Sequence, residues 1–239
     1  MMKLNIQELN EYFAHRGVRE TLEYFLNLDL KVGFSTSFGV EDQVITDLIN
    51  DINPLTYIFS LDTGMLHEET YKTMDETIKK YNDIEFKFFY PDTAAVEKMV
   101  AENGINLFYE SRQKRALCCQ IRKVEPLKRA LKGVDIWITG RRSEQSDERS
   151  KLDLLEYDEA FGVYKLNPLH NWGITMVWEY IKQNKTPYNE LHDRSYPSIG
   201  CEPCTRAVKA GESFRTGRWW WEDDAHKECG LHIKGRDYE

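Results

Sequence analysis

The chain lacks any long apolar stretch. None of its hydrophobic runs approaches the roughly 20 residues that a membrane-spanning helix requires. The N-terminal sequence MMKLNIQELNEYF interleaves charges and amides with apolar side chains, so it has no hydrophobic region of the signal-peptide kind. These absences predict a soluble protein that stays in the cytoplasm and has no membrane partner.

The chain also lacks positive net charge, low-complexity segments and repeats of solenoid period. It has 32 Lys and Arg residues against 40 Asp and Glu, a formal net charge of −8 at pH 7, which opposes broad binding to nucleic acid. Lysine and arginine are nevertheless concentrated between residues 112 and 151. A local accumulation of this kind suits a small polyanion better than a duplex.

The sequence has five cysteines, an odd number that argues against a disulfide framework in a chain without an export signal. Cys118, Cys119, Cys201 and Cys204 supply the four thiolates that an iron–sulfur cluster or a structural zinc ion requires. Adjacent cysteines are rare in zinc sites, so the spacing favours iron–sulfur. A redox-active CxxC pair and inert buried thiols remain as alternatives. Cys229 is left over.

Apolar segments with strand and helix periods alternate along the chain, which predicts a mostly parallel sheet flanked by helices. Ligands bind at the carboxyl ends of such strands, so we expect the loops at 35–41, 62–68 and 140–149 to converge. Pro126 predicts a bend or a helix start just after the cysteine pair. We expect an α/β domain over residues 1–195 and a C-terminal segment over 196–239. The expected strands are 31–37, 56–61, 85–90 and 134–139, the helices 40–49, 67–81, 94–102 and 175–183, and the hairpin 154–166.

The loop Ser35-Thr36-Ser37-Phe38-Gly39 joins a predicted strand to a predicted helix. Its hydroxyls and amides, with the helix N-terminus, are suited to hold a phosphate, although the loop lacks the GK[ST] of a Walker motif. Ordinary capping explains the same residues equally well. Polar residues at two further strand ends, LDTG and GRR, strengthen the nucleotide interpretation.

Cationic and aromatic residues crowd around Cys229 near the end of the chain. Arg215, Arg218, Lys227 and His232 lie close to it in sequence, and three consecutive tryptophans precede it. Cations stabilise a thiolate, which is the nucleophilic form of cysteine. Cys229 is therefore the strongest catalytic candidate in the chain.

Seven motifs carry a family resemblance: STSFGVED, LDTGMLHEETY, CCQIRKVEPL, WITGRRSEQSDER, YPSIGCEPCT, GRWWW and KECGLH. In this order they resemble the phosphoadenylyl-sulfate and adenylyl-sulfate reductases of sulfate assimilation. The resemblance implies an adenine-nucleotide α-hydrolase-like fold of the PP-loop, Rossmann-like kind with a mobile C-terminal tail. It implies that Cys229 attacks the sulfur of a sulfonucleotide, releases AMP and forms a thiosulfonate, which thioredoxin or a related dithiol resolves to sulfite.

The resemblance also implies a [4Fe–4S] cluster on the four paired cysteines, which is typical of the branch that reduces adenylyl sulfate, and we expect a homo-oligomer. Three alternatives are a reductase that takes the 3′-phosphorylated nucleotide or both substrates, a non-catalytic cluster-binding redox regulator, and a PP-loop enzyme acting on tRNA. The last would carry an SGGxDS-type loop, from which STSFGVED departs. By resemblance, the substrate-binding residues are Ser35, Ser37, Gly39, Glu41, Asp62, Thr63, Gly64, Lys123, Gly140, Arg149, Arg215, Arg218 and His232.

Overall fold

Alternating helices and strands make up most of the computed structural model, which describes residues 4–145 and 151–222. None of the helices in these two ranges is long and apolar enough to span a membrane. The strands are β1 (Val32–Ser35), β2 (Tyr57–Leu61), β3 (Phe86–Phe89), β4 (Ile136–Ile138), β5 (Leu155–Asp158) and β6 (Val163–Leu166). The α-helices are α1 (Ile6–Phe13), α2 (Val18–Leu26), α3 (Val40–Ile52), α4 (Glu68–Lys80), α5 (Thr93–Asn103), α6 (Arg112–Cys119), α7 (Glu125–Ala130) and α8 (Ile174–Asn184).

The six strands form one sheet in the order β3-β2-β1-β4-β6-β5. Every neighbouring pair is parallel except β5 and β6, which form an antiparallel hairpin at one edge. This arrangement confirms the predicted mostly parallel α/β fold. The strand order reverses between β1 and β4, and ligands of open α/β sheets bind beside such a reversal. The fold therefore directs a site to the carboxyl ends of β1 and β4.

The central strands are apolar along their length because helices cover both faces of the sheet. Phe34, Ile58, Ile136 and Ile138 are fully buried and belong to the main core, together with the inner faces of α2 and α3. Each of the four predicted strands was one to three residues longer than the observed one, because the residues at the strand ends belong to loops. The element types were all confirmed.

The chain stays helical around the cysteine pair. Ser111 caps α6, its hydroxyl accepting from the amide of Lys114 at 3.1 Å. After Cys119 one π-helical turn, Gln120–Val124, leads directly into α7, which has Pro126 in its first turn. Of the two predicted outcomes, a bend or a helix start, the structure shows α7 starting at Glu125 directly after the π turn. Such π turns occur frequently at functional sites.

The segment after residue 195 packs against the sheet domain. The amide of Glu202 donates to the carbonyl of Met65 at 2.8 Å, and Leu66 forms a bridge with Cys201. A second bridge joins Thr205 to Arg218. These contacts bring the CxxC motif beside the loop that follows β2. The division of the chain at residue 195 stays a prediction.

Candidate functional site

A cavity of about 250 Å³ lies at the carboxyl ends of β1, β2 and β4. Loop residues after all three strands line it, which confirms the predicted convergence for their described parts. We call it the nucleotide cavity. Among the predicted substrate-binding residues, those that line it are Ser35, Ser37, Gly39, Glu41, Thr63, Lys123, Gly140, Arg215 and Arg218.

The loop after β1 is organised by its own side chains. The amide and the hydroxyl of Ser37 donate to Oδ2 of Asp42 at 2.6 and 2.7 Å, and the amide of Phe38 donates to the Thr36 hydroxyl at 3.0 Å. Phe38 has a φ of +58° and is buried, its ring stacked on Phe88. The Ser35 hydroxyl accepts from the Trp137 indole at 2.7 Å. The Ser37 donors of this loop are thus already bonded to Asp42, and the Phe38 amide is bonded within the loop.

Two adjacent carboxylates on α3 have different partners. Glu41 accepts from Nε of Arg142 at 2.9 Å and from the side-chain amide Nε2 of Gln145 at 3.0 Å. Its buried ion pair with Arg142 holds the carboxylate in place. Asp42 instead binds the loop after β1, and burial raises its pKa to about 6. A Cβ at Gly140 would lie 2.2 Å from Oδ1 of Asp42, so only glycine leaves room there.

The loop after β2 is shaped by Asp62. Its Oδ1 accepts from the amide of Gly64 at 2.8 Å and from the Tyr71 hydroxyl at 2.9 Å. Gly64 has a φ of +68°, a conformation that favours glycine. Asp62 and Gly64 therefore hold the loop, and Thr63 between them lines the nucleotide cavity. Their predicted roles in substrate binding stay predictions.

Four described basic side chains line the nucleotide cavity: Lys123, Arg141, Arg215 and Arg218. Arg141 is paired with Glu156. Arg218 is buried, and a Cβ at Gly200 would lie 2.2 Å from one of its nitrogens. Its guanidinium lies over the Trp219 ring at 4.8 Å from the centroid, and its Nε has no hydrogen-bond partner among the described residues. A buried cation with unused donors is suited to bind an anionic group.

The four paired cysteines line a second, smaller cavity, which we call the cysteine pocket. All four are buried, and none of them is in a disulfide bond. Burial raises the pKa of Cys118, and burial together with the neighbouring Cys201 raises the pKa of Cys204 to about 12. Burial also opposes ionisation of Cys201, but the Lys123 charge and the Thr63 hydroxyl outweigh it and lower the pKa of Cys201.

The cysteine pocket supplies four buried thiols with cations beside them, and thiolates are the ligands of iron–sulfur clusters and of structural zinc. Within residues 4–145 and 151–222, no three His, Cys, Asp or Glu side chains lie close enough together to hold a single ion. The residues present therefore fit a thiolate-bound group in number and chemistry, and the identity of that group stays a prediction.

Two basic residues after the cysteine pair contact this pocket. Arg122 lines the pocket with Cys118, four residues before it, as the helical spacing predicts, and donates to the carbonyl of Thr63 at 2.7 Å. Lys123 lies near Cys201, whose pKa its charge lowers. Lys123 also lines the nucleotide cavity. The Lys123 side chain therefore forms part of the lining of both cavities.

The start of the tail is anchored beside the cysteine pocket. Glu222 accepts from Arg115 at 2.5 and 3.0 Å, and both side chains are buried. The Arg115 guanidinium also lies 4.5 Å from the centroid of Trp219. Three predicted site residues, Arg149, Cys229 and His232, lie outside the described residues, so their positions stay predictions.

Sequence reasoning missed one wall of the nucleotide cavity. Asn189, His192 and the segment 197–200 line it, although they lie in an irregular stretch without periodicity. The sequence signal for this wall was the motif YPSIGCEPCT, residues 196–205, which was used for the family resemblance and not for the cavity. Asp42 was also missed as a residue that holds the loop after β1.

Comparisons with known proteins agree with this geometry. The model of the phosphoadenosine phosphosulfate reductase domain matches residues 31–207. The adenosine 5′-phosphosulfate reductase of Burkholderia cepacia is 51% identical over 203 residues, which cover 85% of this chain and 81% of the relative. The enzyme of the same name from Sinorhizobium fredii strain USDA 257 is 45% identical over 233 residues, 97% of this chain and 92% of the relative.

Solved structures point the same way. A phosphoadenylyl-sulfate reductase from Candida auris, crystallised as a phosphate complex, superposes with a TM-score of 0.75 at 29% identity, covering 87% of this chain and 98% of that one. Yeast FAD synthetase shares the fold, with a TM-score of 0.56 at 16% identity over 87% of this chain and 70% of its own. The match to the domain model and the identities to the two bacterial relatives show that this chain belongs to the phosphoadenosine phosphosulfate reductase domain family.

Proposed function

We propose that this protein reduces adenosine 5′-phosphosulfate to sulfite and AMP, with electrons from thioredoxin or a related dithiol protein, as a step of sulfate assimilation and cysteine biosynthesis. The observation that carries the proposal is the Lys123 side chain, which lines both the nucleotide cavity and the cysteine pocket. Relatives that are 42–51% identical bear the name of this activity, which supports the choice of substrate.

The proposed chemistry begins at Cys229. Its thiolate attacks the sulfur of the phosphosulfate, an S–S bond forms, and the bond from sulfur to the bridging oxygen breaks, so AMP leaves with the electron pair. A thiolate of the dithiol protein then attacks Sγ of Cys229 and expels sulfite with the electrons of the S–S bond. The second thiol closes a disulfide on the reductant and releases Cys229. Two electrons have then passed from the dithiol to the sulfur.

The cations of the nucleotide cavity bind and polarise the substrate in this proposal. Lys123, Arg215 and Arg218 hold the phosphosulfate and offset the charge that develops on the leaving phosphate oxygens. Arg149 and His232 are proposed for the same group by resemblance. The loops after β1, β2 and β4 hold the nucleoside.

Cys118, Cys119, Cys201 and Cys204 would hold a [4Fe–4S] cluster. When bound, the cluster supplies a structural and electrostatic element beside the sulfate rather than electrons for turnover. Lys123 lies near the Cys201 thiol and lines the nucleotide cavity. It is therefore positioned to link the cysteine pocket to the bound substrate. We further propose that the protein works in the cytoplasm, where dithiol proteins are kept reduced, as a homo-oligomer.

The test uses the full chain purified without oxygen. We expect a brown protein with about four irons per chain, which forms a protein-bound adduct from ³⁵S-labelled adenosine 5′-phosphosulfate. The Cys229→Ser variant is expected to keep its iron and to lose both the adduct and sulfite release. A wild-type amount of labelled adduct in that variant would refute the assignment of the nucleophile.

The same preparation separates the alternatives. A higher kcat/KM for the 3′-phosphorylated nucleotide than for adenosine 5′-phosphosulfate would identify the 3′-phosphorylated nucleotide as the substrate. The ratio of the two kcat/KM values measures how much more tightly the enzyme binds one transition state than the other. Bound zinc, or the absence of turnover with thioredoxin and either nucleotide, would indicate a regulator instead of an enzyme. Size-exclusion chromatography with light scattering tests the oligomer.

A further inference from the structure

The carboxylate of Asp42 occupies a position in the nucleotide cavity where an anion would be expected. It lies in the first turn of α3 and lines the cavity wall. The amide and hydroxyl of Ser37 donate to it. Amides at a junction of strand, loop and helix N-terminus are the donors that bind phosphate in many nucleotide sites. In this chain a carboxylate of the protein already uses them.

Within residues 4–145 and 151–222, no basic side chain forms an ion pair with Asp42 of the kind that its neighbour has. Glu41 is paired with the buried Arg142 at 2.9 Å. The groups that act on Asp42 are the donors of the loop and the carboxylate of Glu41, which repels it. At pH 8 Asp42 is ionised, since its pKa is about 6. This wall of the cavity is therefore negative, in contrast to the wall that carries Lys123.

Asp42 is also held in place sterically. Its Oδ1 lies where the Cβ of a larger residue at 140 would be, 2.2 Å from that position. The backbone of Gly140 closes one side of the carboxylate, and the bonds from Ser37 close another. The side chain is buried, so it has little room to swing away from an incoming ligand.

We infer that Asp42 is a specificity-determining residue of the nucleotide cavity, whose carboxylate fills the anion position of the loop after β1 and excludes phosphate groups from it. A phosphate at this loop would meet a fixed negative charge and find its donors in use. The phosphosulfate is then left to Lys123, Arg215 and Arg218. Nucleotides with a polyphosphate chain, such as ATP, are rejected at this wall. The inference goes beyond the proposed reduction, because it concerns which anions the loop after β1 does not bind.

The experiment measures binding of pyrophosphate and of ATP to the full chain by calorimetry at pH 8, where Asp42 is ionised. Asp42→Ser removes the carboxylate and supplies a hydroxyl donor, and we expect it to bind pyrophosphate at least about tenfold more tightly than the wild type. Asp42→Asn loses the charge but keeps an oxygen in the loop, so we expect an intermediate gain. ATP is expected to follow the same order.

Asp47→Asn is the matched control. Asp47 lies on the same helix, is bonded by the hydroxyls of Tyr81 and Tyr180 at 2.7 and 2.8 Å, and does not line the cavity. We expect it to bind pyrophosphate as the wild type does. An equal gain in this control would show that the effect comes from net charge alone and would overturn the inference.

Equal binding of pyrophosphate by the wild type and by folded Asp42→Ser would also overturn it. Thermal melting shows which variants fold, and if Asp42→Ser does not, Asp42→Asn carries the same comparison with the side-chain shape preserved. Sulfite release is measured separately on the wild type. A wild type without sulfite release would refute the proposed reduction and leave the comparison of anion binding intact.

Discussion

Replacing Gly140 by alanine tests how closely the end of β4 packs against α3. The added Cβ would lie 2.2 Å from Oδ1 of Asp42 and 3.1 Å from Cβ of Glu41, whereas ordinary contacts begin at 3.4 Å. The Asp42 carboxylate must therefore move by about 1.2 Å (3.4 minus 2.2). Both carboxylates are buried, so the displacement breaks existing contacts.

Two costs add up. Overpacking a filled interior costs about 1–3 kcal/mol. Weakening the bonds from Ser37 to the charged carboxylate costs a further 1.5–3 kcal/mol or so, since hydrogen bonds to charged groups are worth about that much. We expect Gly140→Ala to lower the free energy of unfolding by roughly 2.5–6 kcal/mol. For a domain of this size that corresponds to a melting temperature about 5–24 °C lower.

Thermal unfolding followed by circular dichroism measures the effect. Gly17→Ala is the control, because a Cβ at Gly17 would meet nothing within 4 Å. The double variant with Asp42→Ala should lose less stability than the sum of the two single variants, because removing the carboxylate makes room for the methyl group. A Gly140→Ala variant that melts within about 2 °C of the wild type would show that this reasoning about packing is wrong.

Two further predictions concern ionised groups. The folded-state pKa of Asp42 is raised from 3.8 to about 6, so its contribution to stability is fully present below about pH 4 and is lost as the pH rises through 6. Relative to Asp42→Asn, the wild type should lose at most about 3 kcal/mol of unfolding free energy between pH 4 and pH 7, measured in urea at each pH, and a flat difference would contradict the shift. Glu222→Gln should cost about 3–5 kcal/mol, because it leaves the buried Arg115 without its counter-charge. The more exposed pair of Arg206 and Glu212 supplies the control Glu212→Gln, and an equal shift of the urea midpoint in both variants would contradict the role of burial.

The sequence predicted the scaffold well because hydrophobic period is a local property. The strands, the helices between them and the convergence of their loops followed from apolar spacing and from the rule that ligands bind at the carboxyl ends of parallel strands. The four paired cysteines were expected at one site, and they line one pocket. The i, i+4 spacing also predicted the contact of Arg122 with Cys118.

Long-range pairing could not be predicted in the same way. Glu41 and Asp42 are neighbours of similar chemistry, yet one pairs with Arg142 and the other holds the loop before it. Lys123 was expected beside Cys119, and both line the cysteine pocket, but the effect of its charge on Cys201 across the pocket could not be predicted. The wall formed by residues 189–200 has no periodic pattern. Each of these features depends on how distant segments meet in space.

The buried pair of Arg115 and Glu222 has a kinetic consequence. Cys229 follows Glu222 by seven residues, and a chain of that length spans about 24 Å at most. A thiol confined to a sphere of that radius has an effective concentration of about 30 mM, set by the tether alone. Cys229, the nucleophile that we propose, would reach a bound substrate without a bimolecular encounter. Because α6 carries both Arg115 and the adjacent cysteines, the helix that forms the cysteine pocket also fixes the centre of that sphere.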